Sequence, residues 1–134
     1  MAAPVRPDLA LLLAGYDVQN GNAEQRIYQL ISQFDFAPML HNYGFALSGI
    51  AQYALYLLNR LYEAGKGISD LETLAEYVIT ETATQDGKVG GPIQMATITV
   101  AEGCREVTQE ELGKMASSNK ERNQALKETF YRKG

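Results

Sequence analysis

The stretch that decides the fold lies between Tyr43 and Thr99. It reads YGFALSGIAQYALYLLNRLYEAG at 43–65 and SDLETLAEYVITETATQDGKVGGPIQMATIT at 69–99. Leu47, Ala51, Ala54, Leu58 and Leu61 recur at helical spacing, and Ile50, Tyr53, Tyr56 and Leu57 fill the remaining sides. Only Gln52, Asn59, Arg60 and Glu63 are plainly polar, so this spacing predicts a helix from near Ser48 or Gly49 to before Gly65. A helix that is apolar nearly all round must be covered on more than one side. Tyr53, Tyr56 and Tyr62 follow the same spacing, which suits packing or an interface rather than a cofactor box.

A second helix is expected from the capping box Ser69-Asp70-Leu71-Glu72, followed by Leu71, Leu74, Ala75, Val78, Ile79 and Thr82 on one face. Gly65 and Gly67 make the connection tight, so the two helices are expected antiparallel. The second helix should end near Asp86-Gly87. Gly90-Gly91-Pro92 then breaks the chain before a strand over 93–100, whose mixture of apolar and Thr residues predicts cover on both faces.

Outward from this core, LALLLAGY at 9–16 reads as a buried strand. Asn20-Gly21-Asn22 supplies turn chemistry, because Gly and Asn accept positive φ, and RIYQLIS at 26–32 reads as the return strand of a hairpin. Phe34, Phe36 and Pro38 lead into a loop or short strand ending at Gly44. Downstream, Glu102-Gly103 turns into a short strand over 104–107. Thr108-Gln109-Glu110-Glu111 is a second capping box for a last helix carrying Leu112, Met115 and Ala116. From Ser117 onward a solvated or frayed tail is expected, with Leu126 and Phe130 as docking points. There is no internal repeat and no low-complexity segment.

The 134 residues make one domain or most of one; 46% are hydrophobic, which suits a globular chain. A net charge of −4 and a pI near 5.0 argue against nucleic acid as partner. The single cysteine excludes an intrachain disulfide and fits a reducing compartment. Leu9 to Ala14 is too short for a signal-peptide core or a membrane span, so the expectation is a cytoplasmic chain with no membrane partner.

Taken in order, the strand LALLLAGYD, the return strand RIYQL, the small turn Leu47-Ser48-Gly49 and the turn Gln85-Asp86-Gly87-Lys88-Val89-Gly90-Gly91 resemble the second half of a proteasome-type subunit, of the N-terminal-nucleophile (Ntn) hydrolase superfamily. The resemblance covers roughly residues 9 to 112, leaving 1–8 as a tail and 113–134 as a polar helix or tail. It implies an α/β fold of the αββα type with antiparallel sheets and helices, its first strands lying outside this chain. It also implies a threonine-type endopeptidase lineage. In that family an N-terminal threonine is the nucleophile, and a Ser and an Asp support its amine. Ser48 and Asp86 fall at those supporting positions, and Val89 stands where a second supporting Ser would be.

The start MAAPVRP offers no N-terminal nucleophile, since removal of Met1 exposes Ala2. The isolated chain is therefore expected to be inactive, without cofactor or metal. Its partners would be proteasome-like subunits in a homo- or hetero-oligomer, with polypeptide as substrate. The alternative is a non-catalytic structural or assembly subunit of such a complex; a third is an unrelated small α/β binding domain. Read without the resemblance, Ser48 is an N-cap and Asp86 a residue ordering a glycine-rich turn. Asp86-Gly-Lys-Val-Gly-Gly lacks the G-K-[ST] ending of a phosphate loop. His41 and Cys104 are the only residues of their kinds, and their spacing points to no dyad.

Overall fold

The computed structural model describes residues 8–49 and 52–131. Among these residues the chain is mixed α/β, with two antiparallel sheets, three α-helices and one short 3-10 helix. It divides into two compact units, Met1–Ala51 and Gln52–Gly134.

The first unit is a three-stranded antiparallel sheet in the order β1-β2-β3, with β1 over Ala10–Gln19, β2 over Asn22–Ile31 and β3 over Met39–His41. The hairpin turns at Asn20 and Gly21, whose φ values of 51° and 80° suit the tight primed turn that matches strand twist. Gln19 pairs with Asn22, and the register runs back to Ala10 opposite Ile31. A short 3-10 helix over Ser32–Phe34 follows β2. Buried Ser32 ties it to the start of β1: its amide donates to the Leu9 carbonyl (2.9 Å) and its Oγ accepts from the Leu9 amide (3.1 Å).

The expected hairpin is present, but its expected burial is not. Leu11, Leu12 and Leu13 are all exposed, Leu13 by 62%. The register explains why. Leu11, Leu13, Tyr28, Leu30 and Leu40 share one face, while Leu12, Ala14, Ile27, Ile31 and Met39 share the other. Both faces are apolar, so a single layer of three strands cannot bury them. Covering one leucine stabilises by about 1.5–3 kcal/mol. The three left open on β1 thus forgo an amount comparable to the whole stability of a small domain, about 5–15 kcal/mol.

The second unit holds α1 (Gln52–Leu61), α2 (Ile68–Gln85), the antiparallel pair β4 (Ala96–Thr99) and β5 (Gly103–Glu106), and α3 (Gln109–Phe130). The first helix starts later than expected. Ser48 and Gly49 are not helical, and Gly49 has φ 89°, which a right-handed helix cannot use. Ile50 and Ala51, two positions of the apolar pattern, lie outside the described residues. Of α1 only Ala54 is buried, and Tyr56 is 61% exposed.

α2 begins one residue before the expected cap. Gly67 is the N-cap in extended conformation, and its carbonyl accepts the Leu71 amide at 3.1 Å. Ser69 therefore sits inside the first turn, where its carbonyl accepts from Thr73 Oγ1 (3.0 Å), and the Ser69–Glu72 capping box does not form. β4 is shorter than predicted and is not covered on both sides: Ile98 is exposed and Thr97 and Thr99 are half-buried.

The box at Thr108 does form. Thr108 Oγ1 accepts from the Glu111 amide and Glu111 Oε2 accepts from the Thr108 amide, both at 3.1 Å. Behind that cap α3 runs unbroken for 22 residues, so the polar stretch from Ser117 to Phe130 is largely solvated, as expected, but an ordered helix and not a frayed tail. Hydrogen bonds that join Asn119 and Asn123 to α2 hold it there.

Candidate functional site

Ser48 and Asp86 fall in different units, and each bonds backbone within its own unit. Ser48 Oγ donates to the Ala10 carbonyl of β1 at 2.8 Å. This is not the N-cap contact expected for a serine before a helix. Asp86 closes α2: its amide donates to the Thr82 carbonyl (2.9 Å), and its Oδ1 accepts the Lys88 amide (2.9 Å). The Val89 amide donates to the Asp86 carbonyl at 3.0 Å, and Gly91 follows with φ 81°. The carboxylate thus orders a glycine-rich turn, the ordinary work of Asp at such a place. His41 lies on β3 opposite Ile27, with its ring 5.6 Å from that of Tyr43. Cys104 is exposed on β5, contrary to the buried small hydrophobe that a lone cysteine usually is.

The densest polar constellation lies between α2 and α3, where the sequence reading placed no site. Glu76 is 3% exposed. One carboxylate oxygen accepts from Thr80 Oγ1 (2.7 Å), the other from Asn119 Nδ2 in a short contact. Asn119 Nδ2 also donates to the Thr73 carbonyl (3.0 Å), and its Oδ1 accepts from Arg122 Nη1 (2.7 Å). One turn on, Tyr77 OH donates to Asn123 Oδ1 (2.9 Å) while Asn123 Nδ2 donates to Glu81 Oε1 (2.8 Å). No buried side-chain nitrogen or oxygen among the described residues lacks a partner. Burial, with the Glu81 carboxylate beside it, pushes the Tyr77 phenol above its ordinary value; the Arg60 charge opposes this.

A cleft of about 560 Å³ adjoins this network, lined by Leu61, Leu71, Leu74, Tyr77, Arg122 and Leu126 among others. Its size suits a small ligand. One signal for the network was present in the sequence. Asn119 and Asn123 stand four apart on a helix, and Glu76 interrupts the apolar run between Ala75 and Val78. A carboxylate inside an apolar stripe calls for donors from another element, but sequence alone does not say which.

Among the described residues no group of three or more His, Cys, Asp and Glu side chains is placed to hold a metal ion. No helix among them is long and apolar enough to cross a membrane. Comparisons with protein-family models, with curated proteins and with solved structures return no match.

Proposed function

We propose that the chain is the C-terminal portion of a proteasome-like subunit, of Ntn-hydrolase fold and threonine-type endopeptidase lineage, and that by itself it does not hydrolyse peptides. The ordered set of motifs supports the lineage: the hairpin with its Gly-Tyr-Asp, the Leu-Ser-Gly turn, the helix pair, and the Asp86 turn. The observation that carries the reading is the sheet with two apolar faces, whose leucines stand open on β1. A sheet in the middle of a layered fold is built this way, with one face toward a second sheet and the other toward helices. The missing layers would come from the complementary part of the subunit and from neighbouring subunits.

One observation favours the non-catalytic alternative, a structural or assembly subunit. Ser48 and Asp86, the two supporting positions, both bond backbone, and Val89 supplies no hydroxyl. The two readings part on chemistry. The purified chain is assayed with chromogenic peptides, alone and after addition of a proteasome-type N-terminal half bearing the threonine. The lineage reading expects no turnover alone and recovered turnover with the added half. Turnover by the chain alone, with stoichiometric labelling by a threonine-directed electrophile, would overturn it. No turnover in either case leaves the assembly subunit as the reading.

A further inference from the structure

We propose that the outer edge of β1 is a docking site for an extended polypeptide strand of the pattern Lys-x-Phe-x-Leu, added antiparallel to the sheet. This goes beyond the proposed lineage and does not depend on it, because the site lies wholly within the first unit.

Three observations converge. The first is the hydrogen-bond phase of β1. The Leu9 carbonyl accepts from the Ser32 amide, and the two-residue turn closes on Gln19 and Asn22. In an antiparallel ladder hydrogen-bonded and non-bonded pairs alternate. The odd-numbered residues of β1 therefore bond to β2, and the even-numbered ones present their amides and carbonyls outward. Ser48 Oγ occupies the Ala10 carbonyl. Among the described residues no hydrogen bond reaches the outward groups of Leu12, Ala14, Tyr16 or Val18. The open ladder thus starts at Leu12, with Ser48 as its stop.

The second observation is charge. Asp17 is half-buried directly opposite Glu24, a repulsive cross-strand pair. The nearest cation on that face, Arg26, is ion-paired to Glu24. Asp17 itself has no hydrogen bond or ion pair among the described residues. A basic side chain on an added strand, across from Asp17, would supply the missing charge. A second copy of β1 cannot, since β1 contains no Lys, Arg or His. Charge therefore selects a different, basic strand over self-pairing.

The third is space. A hollow of about 400 Å³ opens over Gly15, lined by Leu13, Asp17, Arg26 and Tyr28. Added antiparallel, a strand with Lys across from Asp17 places its next same-face residue across from Gly15 and the one after across from Leu13. An aromatic ring covers a strand glycine well, and an aliphatic side chain suits Leu13. The outward pairs at Leu12, Ala14, Tyr16 and Val18 give main-chain affinity, and the alternate pockets give specificity.

The test uses the full chain and the peptide acetyl-Thr-Lys-Val-Phe-Val-Leu-Thr-amide, followed by amide chemical shifts. Shifts confined to Leu12 through Val18 are expected. N-methylation of the two peptide valines, whose amides would face β1, should weaken binding about tenfold or more. Asp17→Lys should weaken it about threefold, and Glu in place of the peptide's Lys should restore it. Gly15→Val is a second variant that keeps the hairpin, since a Cβ there meets nothing within 4 Å. It should weaken the Phe peptide and spare one with Ala in place of Phe. Absence of binding at millimolar peptide, or equal binding of the N-methylated form, would overturn the proposal. So would broadening confined to these amides, and kept in Tyr56→Glu, as the chain is concentrated without peptide, which would assign the edge to a second copy.

Discussion

Glu76 shows how one side chain can fix the relation of two helices. Its carboxylate is buried between α2 and α3 and is satisfied by Thr80 and Asn119. Asn119 cannot slide along α2 without giving up both Glu76 and the Thr73 carbonyl. Asn119→Ala should therefore cost about 1–3 kcal/mol, the penalty for leaving a buried polar group short of a donor, read from the urea midpoint. Glu76→Gln keeps an acceptor toward Asn119 and should cost less. Two titrations follow from neighbouring groups. Backbone and Arg105 hydrogen bonds hold the Glu111 carboxyl below its ordinary value. A depressed acid stabilises the fold above its ordinary pKa of 4.5, and that contribution fades as pH falls through the lower folded value. Helicity at the start of α3 should thus decline on acidification, and Glu111→Gln should flatten the decline. Tyr77 runs the other way. Its raised pKa stabilises the fold below pH 10 and the benefit is lost as pH rises through the folded value. Tyr77→Phe should remove that alkaline loss.

At the scale of elements, α1 and β1 share one trait: apolar residues where the described structure offers no cover. Tyr53, Leu55, Tyr56 and Leu61 of α1 are exposed. Tyr53 and Tyr56 stand about one turn apart on α1, where exposed aromatic rings suit packing against a further surface. Tyr56→Glu should weaken self-association in sedimentation while leaving the thermal midpoint within a few degrees, because an exposed side chain contributes little to folding. The elements themselves were legible in the sequence. Asn20-Gly21 between two apolar runs predicts the hairpin because only residues tolerant of positive φ make that turn. Thr108 and Glu111 predict the α3 cap from their spacing alone. Two boundaries were not legible. Ser69-x-x-Glu72 matches the capping pattern, yet Gly67 takes the cap, and Gly49 at φ 89° delays α1. Both depend on backbone angles that the residue types permit but do not dictate. The exposure of β1 is not legible in the sequence for a different reason. Apolar composition reports what a strand needs, not what lies beside it.

At the scale of the molecule, the site residues were only partly readable. Ser48 and Asp86 rest on position in a motif series, and the structure gives each a backbone partner within its own unit. The Glu76–Asn119–Arg122 network was not legible because Glu76 lies forty-three residues from Asn119, on a separate helix. Under the proposed lineage, the open apolar faces of the sheet and of α1 are covered by other chains of a layered assembly. Sedimentation of the purified chain at low micromolar concentration tests it most directly. Concentration-dependent association that Tyr56→Glu weakens is expected; a single, cooperatively folded monomer over the whole range would overturn it.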